Sequence, residues 1–401
     1  MAIFKRGDFL YRSGERTENI FIIEDGAVEI QIFDKVTLVE KGSLGEWCLI
    51  DSPSIESAKV LNTSKIEVIN PKVFLQDNDY SDILLEIFES VSKRLFFLDE
   101  VMLDNLDYSK AKENFRKTYK YYKEFDSDFV KQFSKMKYHF RKDEYLQSLE
   151  ELNKISLNHL SYDLLEEIEI WKTILRFKIN KDLGRQYASF FDDKKSYNQL
   201  SYNYLKKLMK NEKNTFYDIF AKYGLKIPEK TVIIREGEEA QNKGFYLFDG
   251  ALKVGRFSSN INNLIAIISK GEFFGESSLF EKTMRQATVF TDKPCDIIVF
   301  TKEILKNVLK VSSKFGLELI QNQLKRTLLV IKMMDILSIS DNNKRVAKLI
   351  ENFGKHFKTA GFTINEIASI ANVDNDIALD ILKALKLKLT PEGYIKNTNI
   401  Q

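Results

Sequence analysis

The sequence predicts an α+β chain: two antiparallel β-barrels or jelly rolls, a helical insert between them, and a small C-terminal helical domain. Three observations carry this prediction. Residues 1–75 and 225–301 repeat one order of glycines, short β-rich runs and turns. Residues 105–222 are almost free of glycine and proline and place apolar residues at helical spacing. A chain of 401 residues also exceeds one ordinary domain. The expected units are 1–104, 105–222, 223–338 and 339–401.

In the first copy, Gly14-Glu15, Asn19 to Ile23 and Asp25-Gly26 precede the alternating run Ala27-Val28-Glu29-Ile30-Gln31-Ile32-Phe33. In the second, Gly237-Glu238, Gly244 to Phe248 and Asp249-Gly250 precede Ala251-Leu252-Lys253-Val254-Gly255-Arg256-Phe257. Short alternating runs punctuated by glycine read as strands of a closed antiparallel sheet. An amphipathic helix follows each, through Ile83, Leu84, Ile87 and Phe88 first and through Phe315, Leu317, Leu319 and Ile320 second. Leu317, Leu324, Leu328 and Ile331 share one helix face, which suits either a dimer seam or packing on the chain's own barrel.

The insert begins near Tyr108-Ser109-Lys110 and includes Glu144 to Leu152, separated by close to a tetratricopeptide period. Either stacked helix pairs with a concave face for a protein partner or a plain helical linker fits. Tyr119, Tyr121, Tyr122 and Lys123 read as a partner surface or as a solvated face over buried aromatic undersides.

The densest chemistry lies in Phe273-Phe274-Gly275-Glu276-Ser277-Ser278-Leu279 followed by Arg285-Gln286-Ala287-Thr288-Val289. Glycine admits a ligand close to the backbone, a short turn offers N–H donors to an anion, and an arginine fork pairs with phosphate oxygens. Glu276 suits a hydroxyl, not a phosphate. The order resembles the phosphate-binding cassette of cyclic nucleotide-binding domains. The resemblance implies a pocket of Gly275, Glu276, Ser277, Ser278, Arg285, Gln286 and Ala287. In it Arg285 takes the cyclic phosphate, Glu276 the ribose hydroxyl, and the Ser277 and Ala287 neighbourhood supplies N–H donors and a hydroxyl. The implied effector is cyclic AMP, cyclic GMP or a cyclic dinucleotide. In regulators related to catabolite activator protein, a Thr-Ser pair on the long helix reads the base; Val330 and Ile331 stand there and cannot hydrogen-bond through their side chains.

The first copy keeps Gly45-Glu46 but has Glu56 where the second has Arg285. A carboxylate facing a phosphate is repulsive, a penalty of about a few kcal/mol when partly desolvated. That pocket is expected to hold no cyclic phosphate and to serve packing or an interdomain contact.

The C-terminal stretch from Asn343 to Lys396 resembles a winged helix-turn-helix. Thr363 caps a first helix, the turn lies near Asn372-Val373, a second helix runs from Asn375 to Leu387, and Tyr394-Ile395 form a wing. The resemblance implies DNA contacts from Thr363, Asn372, Asn375, Lys383 and Lys386. Asp374, Asp376 and Asp380 with no arginine near the helix start make a surface chemically poor for DNA. Two outputs follow: a ligand-controlled transcription regulator, expected as a homodimer, or a nucleotide-responsive protein-interaction switch.

Composition narrows the rest. Lys plus Arg number 61 against 58 Asp plus Glu, a formal charge of +3, which argues against a nucleic-acid coat or a polybasic membrane tether. Cys48 and Cys295 lie far apart, so neither a disulfide framework nor a thiolate metal site is expected. No signal peptide or membrane span is read, and a cytoplasmic protein is expected. His139, His159 and His356 lack partners at metal or triad spacing, so no metal and no enzyme is expected.

Overall fold

The computed structural model describes residues 1–32, 35–75, 80–102, 111–125, 127–188, 191, 198–258, 263–281, 283–360, 362–384, 388–389 and 395–397. The chain forms two compact units. Unit one comprises Met1–Asp104, Glu276–Glu281 and Phe300–Asp335; unit two comprises Asn105–Gly275, Lys282–Val299 and Ile336–Gln401.

In unit one the chain runs through β1 (Ala2–Phe4), β2 (Phe9–Tyr11), β3 (Ile20–Asp25), β4 (Val28–Ile32), β5 (Lys35–Val39), β6 (Gly42–Leu44), β7 (Ser57–Val60) and β8 (Ser64–Ile69). These make two four-stranded sheets, β1-β8-β3-β6 and β2-β7-β4-β5. The β4 alternation sends Val28, Ile30 and Ile32 inward while Gln31 faces solvent. Register fixes Ile30 opposite Ala58 and Phe21 opposite Val68. Phe21, Ile23, Leu44 and Ile66 from one sheet and Tyr11, Val28, Ile30 and Val60 from the other fill one core, so the sheets enclose it.

Helix α1 (Ser81–Met102) follows, and Leu98 seals the same core. Unit one also holds most of the later helical run. Numbered in chain order after the middle helices α2 to α8 described below, these are α9 (Lys302–Val311), capped where Thr301 Oγ1 accepts from Ile304 N at 3.2 Å, and α10 (Ser313–Leu337) up to Asp335. Leu317 and Leu324 are buried and Leu328 and Ile331 half-buried, with Ile331 packed against the N-terminal core. Leu317 and Leu324 of the face proposed as a dimer seam are therefore covered within the chain, while Leu328 and Ile331 keep part of their surface. The periodicity identified an apolar face correctly but could not say what covers it.

Unit two begins with a helical middle: α2 (Ala111–Thr118), α3 (Asp128–Arg141), α4 (Tyr145–Asn153), α5 (Tyr162–Ile179), α6 (Lys181–Ala188), α7 (Gln199–Met209) and α8 (Thr215–Tyr223). The helical reading of this region overlooked β9 (Lys123–Glu124), which adds in parallel to the edge of a later strand with Lys123 opposite Thr231. Tyr108-Ser109-Lys110 lie outside the described residues. Tyr119 and Tyr122 turn their rings onto Phe290 at 4.8 and 5.3 Å, whereas Tyr121 is exposed. Trp171 is fully buried, with Lys137 Nζ 3.4 Å from its ring centre.

The second β region has β10 (Gly224–Ile227), β11 (Thr231–Ile234), β12 (Gly244–Asp249), β13 (Ala251–Arg256), β14 (Asn263–Ser269), β15 (Phe273–Phe274), β16 (Thr288–Phe290) and β17 (Cys295–Phe300). Its sheets are β10-β17-β12-β15 and β14-β13-β16-β11-β9. The C-terminal region contributes α11 (Asn342–Ala360), α12 (Ile364–Ala371), α13 (Asn375–Ala384), β18 (Lys388–Leu389) and β19 (Ile395–Asn397), the last two an antiparallel pair. Helix α12 packs against β14. Tyr394, which the wing reading includes, lies outside the described residues.

Candidate functional site

The boundary between the compact units falls at the Gly275–Glu276 peptide, so each end of the motif is placed by its own unit. On the unit-two side, β15 delivers Gly275 with φ 62°. A Cβ there would lie 2.8 Å from Arg285 Nη1 and 2.8 Å from Ile234 Cδ1. Both the left-handed backbone and the close approach of the guanidinium require glycine.

Arg285 is held by backbone first. Its N–H donates to Glu238 O at 2.9 Å and its carbonyl accepts from Gly237 N at 2.8 Å. The guanidinium then donates through Nη1 to Gly275 O at 2.9 Å and through Nη2 to Lys243 O at 2.8 Å, 5.8 Å from the Phe245 ring centre. Backbone carbonyls thus fix the fork at the motif's glycine. Gln286 and Ala287 follow, both half-buried, and lead into β16.

On the unit-one side, Glu276 opens a short 3-10 turn ending at Leu279, and Ser277 O accepts from Phe280 N and Glu281 N at 3.2 and 3.1 Å. Ser277 is half-buried and Ser278 fully buried. Glu276 is 5% exposed; its Oε1 accepts from Gln323 Nε2 at 2.6 Å, and Arg326 Nη1 stands 3.6 Å from its Oε2. Both partners come from α10 and were missed by the sequence reading, which looked for ligand contacts on that helix only at Val330 and Ile331. The missed signal is a polar pair, Gln323 and Arg326, three residues apart within an apolar stripe.

The matching place in the first copy is filled from within. Gly45 again takes a left-handed φ of 79° ahead of a 3-10 turn that begins at Glu46. Glu46 and Glu56 are both fully buried. Arg94 of α1 donates to Glu46 Oε2, donates to Ser43 O at 2.8 Å, and sets Nε 3.8 Å from Glu56 Oε2. Glu56 Oε1 accepts from the Tyr11 hydroxyl at 2.8 Å and from Trp47 Nε1 at 3.3 Å. Burial pushes the Glu56 carboxyl up, opposed by Arg94 and reinforced by Glu46. Burial likewise raises the Tyr11 phenol, and Glu56 raises it further. One guanidinium against two carboxylates leaves no cationic seat for a phosphate. The sequence reading missed Arg94; its one local signal is an arginine on the helix face that carries Val91, Leu95 and Leu98, all buried.

The C-terminal candidates are placed separately. Thr363 Oγ1 accepts from Glu366 N at 3.3 Å while Glu366 Oε2 accepts from Thr363 N at 2.8 Å, a capping box that engages the threonine. Asn372 adopts φ 51° as the C-cap of α12, and its carbonyl accepts from Arg345 Nη2 at 3.0 Å. Asn375 and Lys383 are exposed on α13, Lys383 lying 3.9 Å from Asp380; Lys386 lies outside the described residues. Glu366 also accepts both arms of a contact from Lys253 Nζ on β13, at 2.8 and 3.0 Å, and Lys253 touches Asp292 as well.

Among the described residues no helix is long and apolar enough to cross a membrane. Residues 225–312 match the family model described as the cyclic nucleotide-binding domain. The chain is 26% identical over 132 residues to the cAMP-activated global transcriptional regulator CRP of Pasteurella multocida (strain Pm70), a match spanning 32% of this chain and 63% of that protein. It is also similar in structure to the c-di-GMP-responsive global regulator CLP of Xanthomonas campestris: 18% identity, TM-score 0.36, 46% of this chain and 99% of that one. A CRP/FNR-family transcriptional regulator of Thermus thermophilus gives 15% identity and TM-score 0.34, over 43% and 93%. Residues 225–312 are thus a cyclic nucleotide-binding domain, homologous to that of the CRP-type regulators.

Proposed function

We propose that the chain is a second-messenger receptor acting as a ligand-controlled transcription regulator, and that it carries no catalytic chemistry. The supporting observation is Arg285: bonded to Gly275 O and Lys243 O, its guanidinium is ordered by the protein alone. A preordered anion partner lowers the cost of binding. In this reading Arg285 takes the cyclic phosphate, Gly275, Ser277, Ser278 and Ala287 line the backbone approach, Glu276 takes the ribose hydroxyl, and Gln286 adds an amide. Cyclic AMP, named for the Pasteurella relative, cyclic GMP and a cyclic dinucleotide are the candidate effectors.

A second output has its own support. Asp374 just before α13 and Asp376 and Asp380 on it are exposed, and a carboxylate-bearing face repels phosphates. The helical middle and this face would then dock a protein. Anisotropy titration of a labelled duplex, with and without each cyclic nucleotide and across salt, separates the outputs. The regulator reading expects ligand-dependent binding that weakens steeply with salt. Absence of DNA binding under every condition leaves the docking reading.

A further inference from the structure

Three parts of unit two meet at one buried lysine. The Lys253 side chain on β13 is 4% exposed, and both Glu366 carboxylate oxygens accept from its Nζ, at 2.8 and 3.0 Å. Glu366 belongs to α12 and serves at the same time in the capping box with Thr363, so this grip fixes the start of the helix. The Phe362 ring, just before α12, lies 5.0 Å from the same Nζ. Lys253 also pairs with Asp292, two residues beyond β16, and Asp292 Oδ1 in turn accepts from the Tyr122 hydroxyl.

Tyr122 comes from the helical middle, which has its own hold on the same sheet. Phe115, Tyr119 and Tyr122 set their rings 5.4, 4.8 and 5.3 Å from Phe290, the residue opposite Lys253 in the β13–β16 register. Lys123 N donates to Lys230 O at 2.7 Å where β9 joins β11. The middle, the sheet and the C-terminal helices are thus joined by one line of side chains: Tyr122, Asp292, Lys253 and Glu366. A buried ammonium has to be matched by carboxylates, so each link constrains the next.

We infer that this line is a relay: Tyr122 orients Asp292, Asp292 shares with Glu366 the charge of Lys253, and the helical middle thereby sets how firmly α12 is docked on β14. Helix α13 packs on α12 and follows it. The middle is then an input to the C-terminal helices separate from the Gly275 motif, whatever that motif binds. Tyr121, exposed beside Tyr122, puts the head of the relay at the surface.

Hydrogen exchange of α12 in full-length wild type, Tyr122→Phe, Glu366→Gln and the double variant tests the relay. Tyr122→Phe keeps the ring on Phe290 and removes only the hydroxyl. It is expected to speed exchange in α12 by about threefold to tenfold, the scale of one hydrogen bond. In the Glu366→Gln background the same change should add less than about twofold, because the charge that Lys253 grips on α12 is already gone. Unchanged exchange in α12, or the same acceleration in both backgrounds, would overturn the relay. If Tyr122→Phe loosens α5 as much as α12, Asp292→Asn, which keeps an acceptor for Tyr122 and withdraws the charge facing Lys253, carries the comparison in the same two backgrounds with the same deciding outcomes.

Discussion

Arg94 and Glu46 form a fully enclosed ion pair in the first β region, the guanidinium reaching back from α1 to the carboxylate that follows Gly45. A second carboxylate, Glu56, lies 3.8 Å from the same guanidinium. Both carboxylates are thereby balanced by one cation from a helix, inside the core of unit one.

Arg94→Leu strands two buried carboxylates. Removing one partner of a buried pair costs about 3–5 kcal/mol. Trp47 lies in this cluster and Trp171 in the other unit, so urea unfolding in a Trp171→Phe background, followed by tryptophan fluorescence, reads unit one alone. A loss below about 1 kcal/mol, the scale of an exposed pair, would show the cluster to be solvated.

Glu56→Gln tests the protonation of that cluster. Burial raises the Glu56 carboxyl above its ordinary value of 4.5, so between the unfolded and folded values the folded state binds this proton more tightly than the unfolded state does. The associated stability is fully present below about pH 4.5 and is lost as pH rises through the raised folded value. Tyr11, Trp47, Arg94 and Glu46 face the group and remain in the variant. The glutamine still accepts from Tyr11 and Trp47, so the decline with pH should flatten. Parallel pH profiles for the two proteins would contradict the assignment.

Lys253 is 4% exposed and holds Glu366 of α12 and Asp292 together. Lys253→Met leaves two carboxylates facing each other without a cation, a cost of about 2 kcal/mol. Hydrogen exchange should accelerate in α12 by on the order of tenfold or more, with α5 unaffected. Uniform acceleration across unit two would instead mean a general loss of stability.

Leu317 and Leu324 are buried and Ile331 packs on the chain's own core, so much of the apolar face of α10 is covered within one chain, with Leu328 half-buried. Light scattering behind size exclusion should give the mass of one chain at micromolar concentration. A stable dimer would place the seam on a different surface.

Local features of the fold were legible because they rest on local rules. The Val28–Ile32 alternation, the left-handed glycines Gly45 and Gly275, the Thr363 cap with Glu366 three residues on, and the Asn372 turn all follow from neighbours in sequence. What escaped is long-range. Nothing near Gly45 announces Arg94, 49 positions later, and nothing near Glu276 announces Gln323. Two residues of strand at Lys123–Glu124 were invisible inside a helical pattern because their extension goes with a long-range pairing to Thr231–Val232.

The Gly275 to Ala287 motif is proposed to bind a cyclic nucleotide through Arg285. Calorimetry of wild type and Arg285→Ala against cyclic AMP, cyclic GMP, cyclic di-AMP and cyclic di-GMP tests it most directly. Saturable binding of one of these ligands is expected, weakened by about 2–5 kcal/mol in the variant, the range for truncating a buried charge partner. Equal affinity in both proteins, or no heat from any of the four, would contradict it.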